Sequence, residues 1–379
     1  MEATSQHHLA PDALDRPSAD GTERERPVVV VTGGSGMIGS ALIDRLLGSH
    51  RVVSLDLEGD PRSPADVEFI CTDLTDDASV GRAFQRIRDQ FGTDIASLVH
   101  LAAFYDFAGR DSPMYERVTV EGTRRILDAL HDFSIEQFVF SSTMLVHEPV
   151  DPGEEIDESD PVDASWPYPE SKVDTERLIR EHPSSSSMST VIARLAGIYD
   201  EDGNSPPITN QIKRIDGRWP TSHFYPADAA SGQAFVHLDD AVDALIRIVE
   251  RRSLLTGITP ILIAEPRTVG YGELQDVIGN ELYGRDWPTL RIPPLVAKVG
   301  AWVREKNPIG EDPFIRSWMV DRASDHYDID ISTAREELDW VPRHDVTDTV
   351  RQMIARLQED RDGWYERNGL TPPRRLLPV

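Results

Sequence analysis

A doubly wound α/β fold, a parallel sheet covered by helices on both faces with a smaller α/β part at the C-terminal end, is what this sequence predicts. Three observations carry that expectation. Short β-branched segments alternate with segments of helical apolar spacing, the mark of successive βαβ units. The first strand candidate, Val28 to Val31, runs directly into a glycine turn and then a helix. The strand candidates are continuously apolar, as strands buried on both faces are.

The elements follow in order. After Val28–Val31, Gly33, Gly34, Gly36 and Gly39 satisfy two overlapping fingerprints, G-x-x-G-x-x-G and G-x-G-x-x-G. One glycine permits the bend, a second lets backbone N–H groups approach a pyrophosphate, and a third lets the helix pack on the strand. The anion then sits on the helix N-terminus, where unpaired N–H groups and the macrodipole favour negative charge. Ile38, Leu42, Ile43, Leu46 and Leu47 give the helix its apolar face, and Arg51 to Leu55 form a second strand ending in Asp56. Asp56 lies 22 residues after Gly34, close to the spacing of roughly 20 at which an acid binds the ribose 2′-hydroxyl of NAD and repels a 2′-phosphate.

A polar loop with Pro61 and Pro64 leads to a strand over Val67–Cys71, and Val80, Phe84, Ile87 and Phe91 mark a helix over 76–91. Ile95 to Leu101 is the next buried strand, followed by the small residues Ala102 and Ala103. A helix is expected over 112–130, with Ser112 as N-cap and Pro113 at its first position. Gln137 to Phe140 is a strand ending at Ser141-Ser142-Thr143. In such sheets ligands bind beyond the carboxyl ends of the strands, where Gly33–Gly39, Asp56, Asp73, Ala102, Ala103 and Thr143 all fall.

After an acidic loop over 150–166, Tyr168-Pro-Glu-Ser-Lys172 opens a helix. Residues four apart share a helical face, and a lysine beside a tyrosine lowers the phenol pKa from its usual value of about 10. A tyrosine so tuned can exchange a proton near neutral pH. Later segments give helices over 239–249, 294–304 and 345–358, and a strand over 261–264. The 294–304 helix has one apolar face (Leu295, Val296, Val299, Trp302, Val303), and a core or substrate wall is expected there because a basic cluster is lacking at its flanks.

Composition bounds the partners. Against 39 Lys and Arg stand 66 Asp and Glu, a net charge of −27, which argues against nucleic acid and against anionic membrane through general electrostatics. Cys71 is the single cysteine, so a cysteine metal cluster is excluded; a small buried hydrophobe is its default role, and no metal is expected. Residues 1–26 read as a disordered polar arm without the apolar core of a signal peptide. No run of 18 apolar residues is present, so no bilayer span and a cytoplasmic setting are expected.

The assembled motifs resemble the extended branch of the short-chain dehydrogenase/reductase superfamily, the NAD-dependent epimerase/dehydratase family. The matching pieces are Thr32-Gly33-x-x-Gly36-x-x-Gly39, Asp56, Asp73-Leu74, His100-Leu-Ala-Ala103, Val120-Glu-Gly122-Thr123, Phe140-Ser-Ser-Thr143, Tyr168-x-x-x-Lys172, Arg194 to Tyr199, Phe235-Val-His-Leu-Asp-Asp240 and Leu338-Asp-Trp-Val-Pro342. Their order spans about residues 27 to 358. The resemblance implies a Rossmann-type sheet that binds NAD. Gly33, Gly36, Met37, Ile38 and Gly39 would hold the dinucleotide, Asp56 its ribose, and Asp73 and Leu74 its adenine, with Ala102 and Ala103 lining its path. It implies Tyr168 as acid/base, Lys172 as holder of the nicotinamide ribose, and Thr143 as the hydroxyl on the reacting oxygen. Relatives of this branch often pair as homodimers.

The sequence also departs from the family pattern. Thr119 stands where the family usually has Asn, and Met144-Leu145 replaces the Asp-Glu pair of the dehydratases, which disfavours 4,6-dehydration. His147 is expected to be a satisfied loop histidine. The domain organisation expected is an NAD-binding part over 27–199, a substrate-binding part over 200–360 with about 235–265 returning to the sheet, and a tail over 361–379.

Three functions are weighed. The first is an NAD-dependent epimerase or oxidoreductase of a nucleotide-linked sugar, with Lys213, Arg214, Arg218 and Arg291 as candidate pyrophosphate contacts. The second is a dehydrogenase or reductase of a hydrophobic alcohol or ketone, resembling 3β-hydroxysteroid dehydrogenases through Asp325-His-Tyr-Asp328 and the segment Ser332 to Leu338. An apolar pocket with none of those four basic residues facing it would favour this reading. The third, a silent NAD-binding protein, is disfavoured because Thr143, Tyr168 and Lys172 all stand at family spacing.

Overall fold

In a computed structural model, residues 26–373 are described apart from 62, 108 and 307–313; the polar arm up to residue 25 and the last six residues of the expected tail lie outside them. Seven strands form one parallel sheet: β1 Val28–Thr32, β2 Arg51–Asp56, β3 Glu68–Cys71, β4 Asp94–His100, β5 Ser134–Thr143, β6 Ser189–Leu195 and β7 Ile258–Ile263. Their spatial order is β7-β6-β5-β4-β1-β2-β3. The order reverses beside β1, which pairs in parallel with both β2 and β4. That reversal opens the crevice where such sheets take ligands.

Strand residues alternate between the two faces, and the core divides accordingly. Val29 and Val31 join Leu42, Ile43, Val99, Val191, Leu245 and Ile248 on one face. Val28 and Val30 join Val53, Val80, Phe84, Ile126, Phe138 and Ile192 on the other. The first face is covered by α1 (Met37–Leu46), and the second by α2 (Asp77–Phe91), whose N-cap Asp76 accepts from the N–H groups of Ala78 and Ser79. Next come α3 (Glu121–Ala129), α4 (Pro167–Glu181), α5 (Pro206–Asp216) and α6 (Leu238–Glu250). The chain then adds α7 (Tyr271–Tyr283), α8 (Pro294–Lys306), α9 (Ser317–Asp321), α10 (Ser332–Leu338), α11 (Val346–Glu359) and α12 (Arg361–Arg367). A third core, with Tyr199, Ile212, Leu274, Ile278, Trp287, Met353 and Trp364, belongs to the C-terminal part. From that part β7 returns to pair with β6.

Four expectations need correction. Cys71 is exposed, its thiol donating to Leu57 O at 3.3 Å, because β3 is the edge strand. The tail does not begin at 361: α12 buries Trp364 and Tyr365, and the Tyr365 hydroxyl donates to the buried Asp216 carboxylate at 3.0 Å. Residues 115–120 are π-helical and only then pass into α3. None of the residues of α8 is buried, so it is not core.

Candidate active site

The glycine turn is built for a group that comes close to backbone. Gly33 has φ +72°, and a Cβ there would stand 2.8 Å from Ala102 N, so only glycine lets the turn nest against the loop after β4. A Cβ at Gly39 would collide with Gly33 O. The helix that follows is capped by Gly36 with no side-chain hydrogen bond and carries no acid in its first turn, Met37–Gly39. Its leading N–H groups are thus open to an anion. Asp56 closes the cradle, accepting from Ser35 N at 3.0 Å and Leu57 N at 2.7 Å. These residues fit a dinucleotide: a cleft floor without side chains for the pyrophosphate, and a fixed carboxylate for the ribose.

Beyond β3, Asp73 accepts from the Thr75 N–H and hydroxyl, both at 2.8 Å, and those bonds hold its carboxyl below the usual range. Leu74 is buried beside Gly122. Ala102 and Ala103 are half-buried after β4. A chain of hydroxyls and one imidazole fixes that loop: His100 Nδ1 meets Thr32 Oγ1 at 2.6 Å and His100 Nε2 meets Thr123 Oγ1 at 2.9 Å. Burial, then the charge of Lys172, pushes His100 down to about 3, so it stays neutral. Thr119, in the π-helical turn, accepts from Phe104 N at 3.1 Å. The helical irregularity, a feature frequent at functional sites, is present with threonine in the place of asparagine.

Three elements bring the expected catalytic side chains together. Thr143 ends β5, while Tyr168 and Lys172 lie on the first turns of α4, which starts with Pro167 in the position where a missing N–H costs nothing. The Tyr168 hydroxyl is hydrogen-bonded to Thr143. The Lys172 ammonium donates to Ser141 O at 2.7 Å and lies 5.9 Å from the Tyr168 ring centre.

The expected lowering of the phenol pKa is reversed. Burial pushes Tyr168 up to about 12 despite the bond from Thr143, and burial pulls Lys172 down to about 7 although Glu176 opposes it. Desolvation outweighs the pairing because the amine is buried and turned to the Ser141 carbonyl, and the phenol is half-buried against Tyr105 and Trp166.

A buried ionic group under Lys172 escaped the sequence reading. Glu176, one turn after Lys172, accepts from Ser142 Oγ at 2.6 Å and from Arg194 at 3.1 and 2.8 Å. Burial alone would raise Glu176, yet Arg194, Ser142 and Arg180 hold it below the usual carboxylate range. Arg194 also meets His147 Nε2 at 2.9 Å, and burial, then Arg194, pushes His147 down to about 4. His147 is thus a buried, neutral histidine bonded through Nε2, while its Nδ1 is buried without a hydrogen-bond partner, so the satisfied histidine that was expected is only half satisfied. The signal available in the sequence was the i, i+4 spacing of Lys172 and Glu176.

Also unforeseen is an aromatic wall. Tyr105 meets Tyr168 edge to face at 4.7 Å, Trp166 lies 5.8 Å from Tyr168, and Trp318 of α9 lies 5.3 Å from Trp166. Phe107 stacks on Phe314 at 5.1 Å. Among the four candidate phosphate contacts, Arg214 donates to the Tyr271 hydroxyl at 3.1 Å and Arg218 covers the Tyr283 ring at 4.3 Å. Lys213 is buried on α5 and Arg291 is exposed.

Metal-type side chains gather at Glu201, His237 and His344, with ligand atoms within 4.8 Å of one another. His237 Nδ1 already accepts from Asp239 N at 3.1 Å. The two imidazoles stack at 3.8 Å with planes 16° apart, and His237 Nε2 lies 3.4 Å from the Glu201 carboxylate.

Residues 29–258 match the family model described as the NAD dependent epimerase/dehydratase family. The sterol-4-alpha-carboxylate 3-dehydrogenase (decarboxylating) of Candida albicans is 22% identical over 88% of this chain and 98% of its own length. A UDP-glucose epimerase of Bacillus subtilis, itself described as uncharacterized, is 26% identical over 66% of this chain and 78% of its own. Among solved structures, the Thermus thermophilus UDP-glucose 4-epimerase complex with NAD superposes with a TM-score of 0.65 at 21% identity, over 88% of this chain and 99% of that one. That last likeness is one of fold. The family match extends over more than half of the chain and takes in the glycine cradle, Thr143, Tyr168 and Lys172: the protein is an NAD-dependent enzyme of the NAD-dependent epimerase/dehydratase family.

Proposed function

We propose that this enzyme interconverts a bulky, largely apolar secondary alcohol and its ketone by hydride exchange with NAD. The aromatic wall carries the reading. A site lined by Tyr105, Trp166 and Trp318 beside the acid/base rewards the burial of apolar surface. Two of the four basic residues considered for a pyrophosphate, Arg214 and Arg218, are engaged with tyrosines of the C-terminal part. The full-length similarity to a sterol-carboxylate dehydrogenase supports the same class.

In this reading Thr143 holds the substrate oxygen while Tyr168 exchanges a proton with it, and Lys172 sets the local charge. NAD supplies the hydride acceptor or donor; oxidation of the carbinol yields ketone, NADH and a proton. The raised Tyr168 pKa keeps the phenol protonated at neutral pH, which suits it to protonate a carbonyl oxygen during reduction.

A second reading, the nucleotide-linked sugar, has one observation in its favour. Arg322 donates to Ser165 O at 3.2 Å and to the Ser165 hydroxyl, one residue from Trp166, and pairs with Asp325 at 3.4 Å. A guanidinium beside the aromatic wall supplies a cation that a phosphate would favour. The test is a panel of hydrophobic cyclic alcohols and nucleotide sugars with NAD, followed by NADH absorbance and product analysis. NADH accumulation with the apolar alcohols alone is expected. Epimerised sugar without net NADH would replace this reading with the second.

A further inference from the structure

Among the described residues, the helix α8 stands apart from every other long helix. Its sequence, Pro294 to Lys306, places Leu295, Val299, Trp302 and Val303 at intervals of four, three and one, with Val296 beside them, on one apolar face. In a helix of a folded domain that face meets the core. Here Leu295 is 74% exposed, Val296 59%, Val299 54% and Trp302 53%.

The polar side of α8 is the attached one. Lys298 pairs with Asp321 of α9 at 2.6 Å, and Glu305 receives the Ser317 N–H and hydroxyl. These bonds fix the helix to α9, whose Trp318 leads through Trp166 to Tyr168. The apolar face is thus held outward at the rim of the aromatic wall.

Local charge supplies the partner. No basic cluster flanks the helix, but over residues 290–306 the chain carries Arg291, Lys298, Arg304 and Lys306 against Glu305; with Lys298 offset by Asp321, three stand against one, or +2, within a chain of net charge −27. The expectation that anionic surfaces are excluded averages over the whole chain, whereas electrostatic attraction decays within about a Debye length, near 10 Å. A 13-residue helix with an apolar face, a tryptophan and basic residues at its end has the composition of one lying in the plane of a bilayer interface. It is not a span, since among the described residues no helix is long and apolar enough to cross a membrane.

We propose that α8 docks the enzyme on anionic phospholipid surfaces, apolar face down. Delivery of an apolar substrate from the bilayer into the cleft is the further consequence, and that consequence alone rests on the function proposed above. The docking itself is tested without substrate. The full chain is sedimented with vesicles of phosphatidylcholine mixed with phosphatidylglycerol, and with phosphatidylcholine alone. The wild type should partition onto the anionic vesicles, less so as salt rises. Val299→Glu/Val303→Glu should weaken partition about tenfold or more with NAD affinity unchanged. Arg291→Glu/Lys306→Glu, which leaves the apolar face intact, should remove the salt-sensitive part of binding. Absence of wild-type binding at low salt overturns the proposal, as does binding that both double variants retain. So does a wild-type dimer in sedimentation velocity that Val299→Glu/Val303→Glu converts to monomer, because a second copy would then cover the face.

Discussion

The strand-end cradle and the α8–α9 pair are built on opposite principles. In the cradle, β1 is buried along its whole length, and Thr143, Lys172, Glu176 and Arg194 are buried at the ends of sheet strands and on α4. At the rim, no residue of α8 is buried, and the helix is held by Lys298 and Glu305 to a five-residue helix and by Arg304 lying over the Trp219 ring. Enclosed, over-determined positions hold reacting groups in place and shift their pKa values. A loosely attached rim can change its shape and its partner without disturbing the sheet. On the function proposed above, the cradle would carry the chemistry and the rim the selection.

The sharpest way to break that assignment is in the cradle. Tyr168→Phe should lower kcat by about 10³-fold or more with the NAD dissociation constant changed by less than about threefold; steady-state rates beside a binding titration check both. Wild-type turnover would strip Tyr168 of its role. Glu176→Gln should cost about 3–5 kcal/mol in denaturant unfolding, because it leaves the Arg194 guanidinium buried against a neutral amide.

Lys172→Met separates activity from stability. Turnover should fall about 10²-fold, while the folded state should gain stability at pH 7. The sign follows from the lowered pKa. Folded Lys172 titrates at about 7 against 10.5 for the free side chain. Between those values the unfolded chain binds the extra proton, so wild-type stability rises with pH across that window. The penalty is full below about pH 7 and gone above about 10.5. The variant should lose this slope, and a set of melting curves from pH 6 to 10 reads it. If the slope persists in the variant, the burial attributed to Lys172 is wrong. The rim should answer more mildly: Trp318→Ala should raise KM for an apolar alcohol about tenfold with kcat nearly unchanged. A fall in kcat alone would place Trp318 with the chemistry instead.

The same contrast explains what could be read in the sequence. Val28–Thr32, the glycine turn, Asp56, Thr143, Tyr168 and Lys172 were legible because each is fixed by a local rule: a φ that excludes side chains, a strand end, a helical spacing. The periodicity of 294–304 revealed an apolar face but not what lies against it, since that depends on elements distant in the chain. Cys71 looked buried because an edge strand and a central strand share one pattern. Trp364 and Tyr365 looked like tail because the Asp216 carboxylate that anchors Tyr365 is 149 residues away. The pKa directions of Tyr168 and Lys172 depend on enclosure, which spacing does not encode. The wall of Tyr105, Trp166 and Trp318 assembles from three remote segments, and no local signal announced it.

The most direct measurement is a structure of the protein with NAD bound. The account predicts a pyrophosphate on the N–H groups at the start of α1, a ribose on the Asp56 carboxylate, and the nicotinamide ring within about 4 Å of the Tyr168 hydroxyl, a near-attack distance. A dinucleotide seated elsewhere, or one whose reactive ring lies remote from Tyr168 and Thr143, would contradict it.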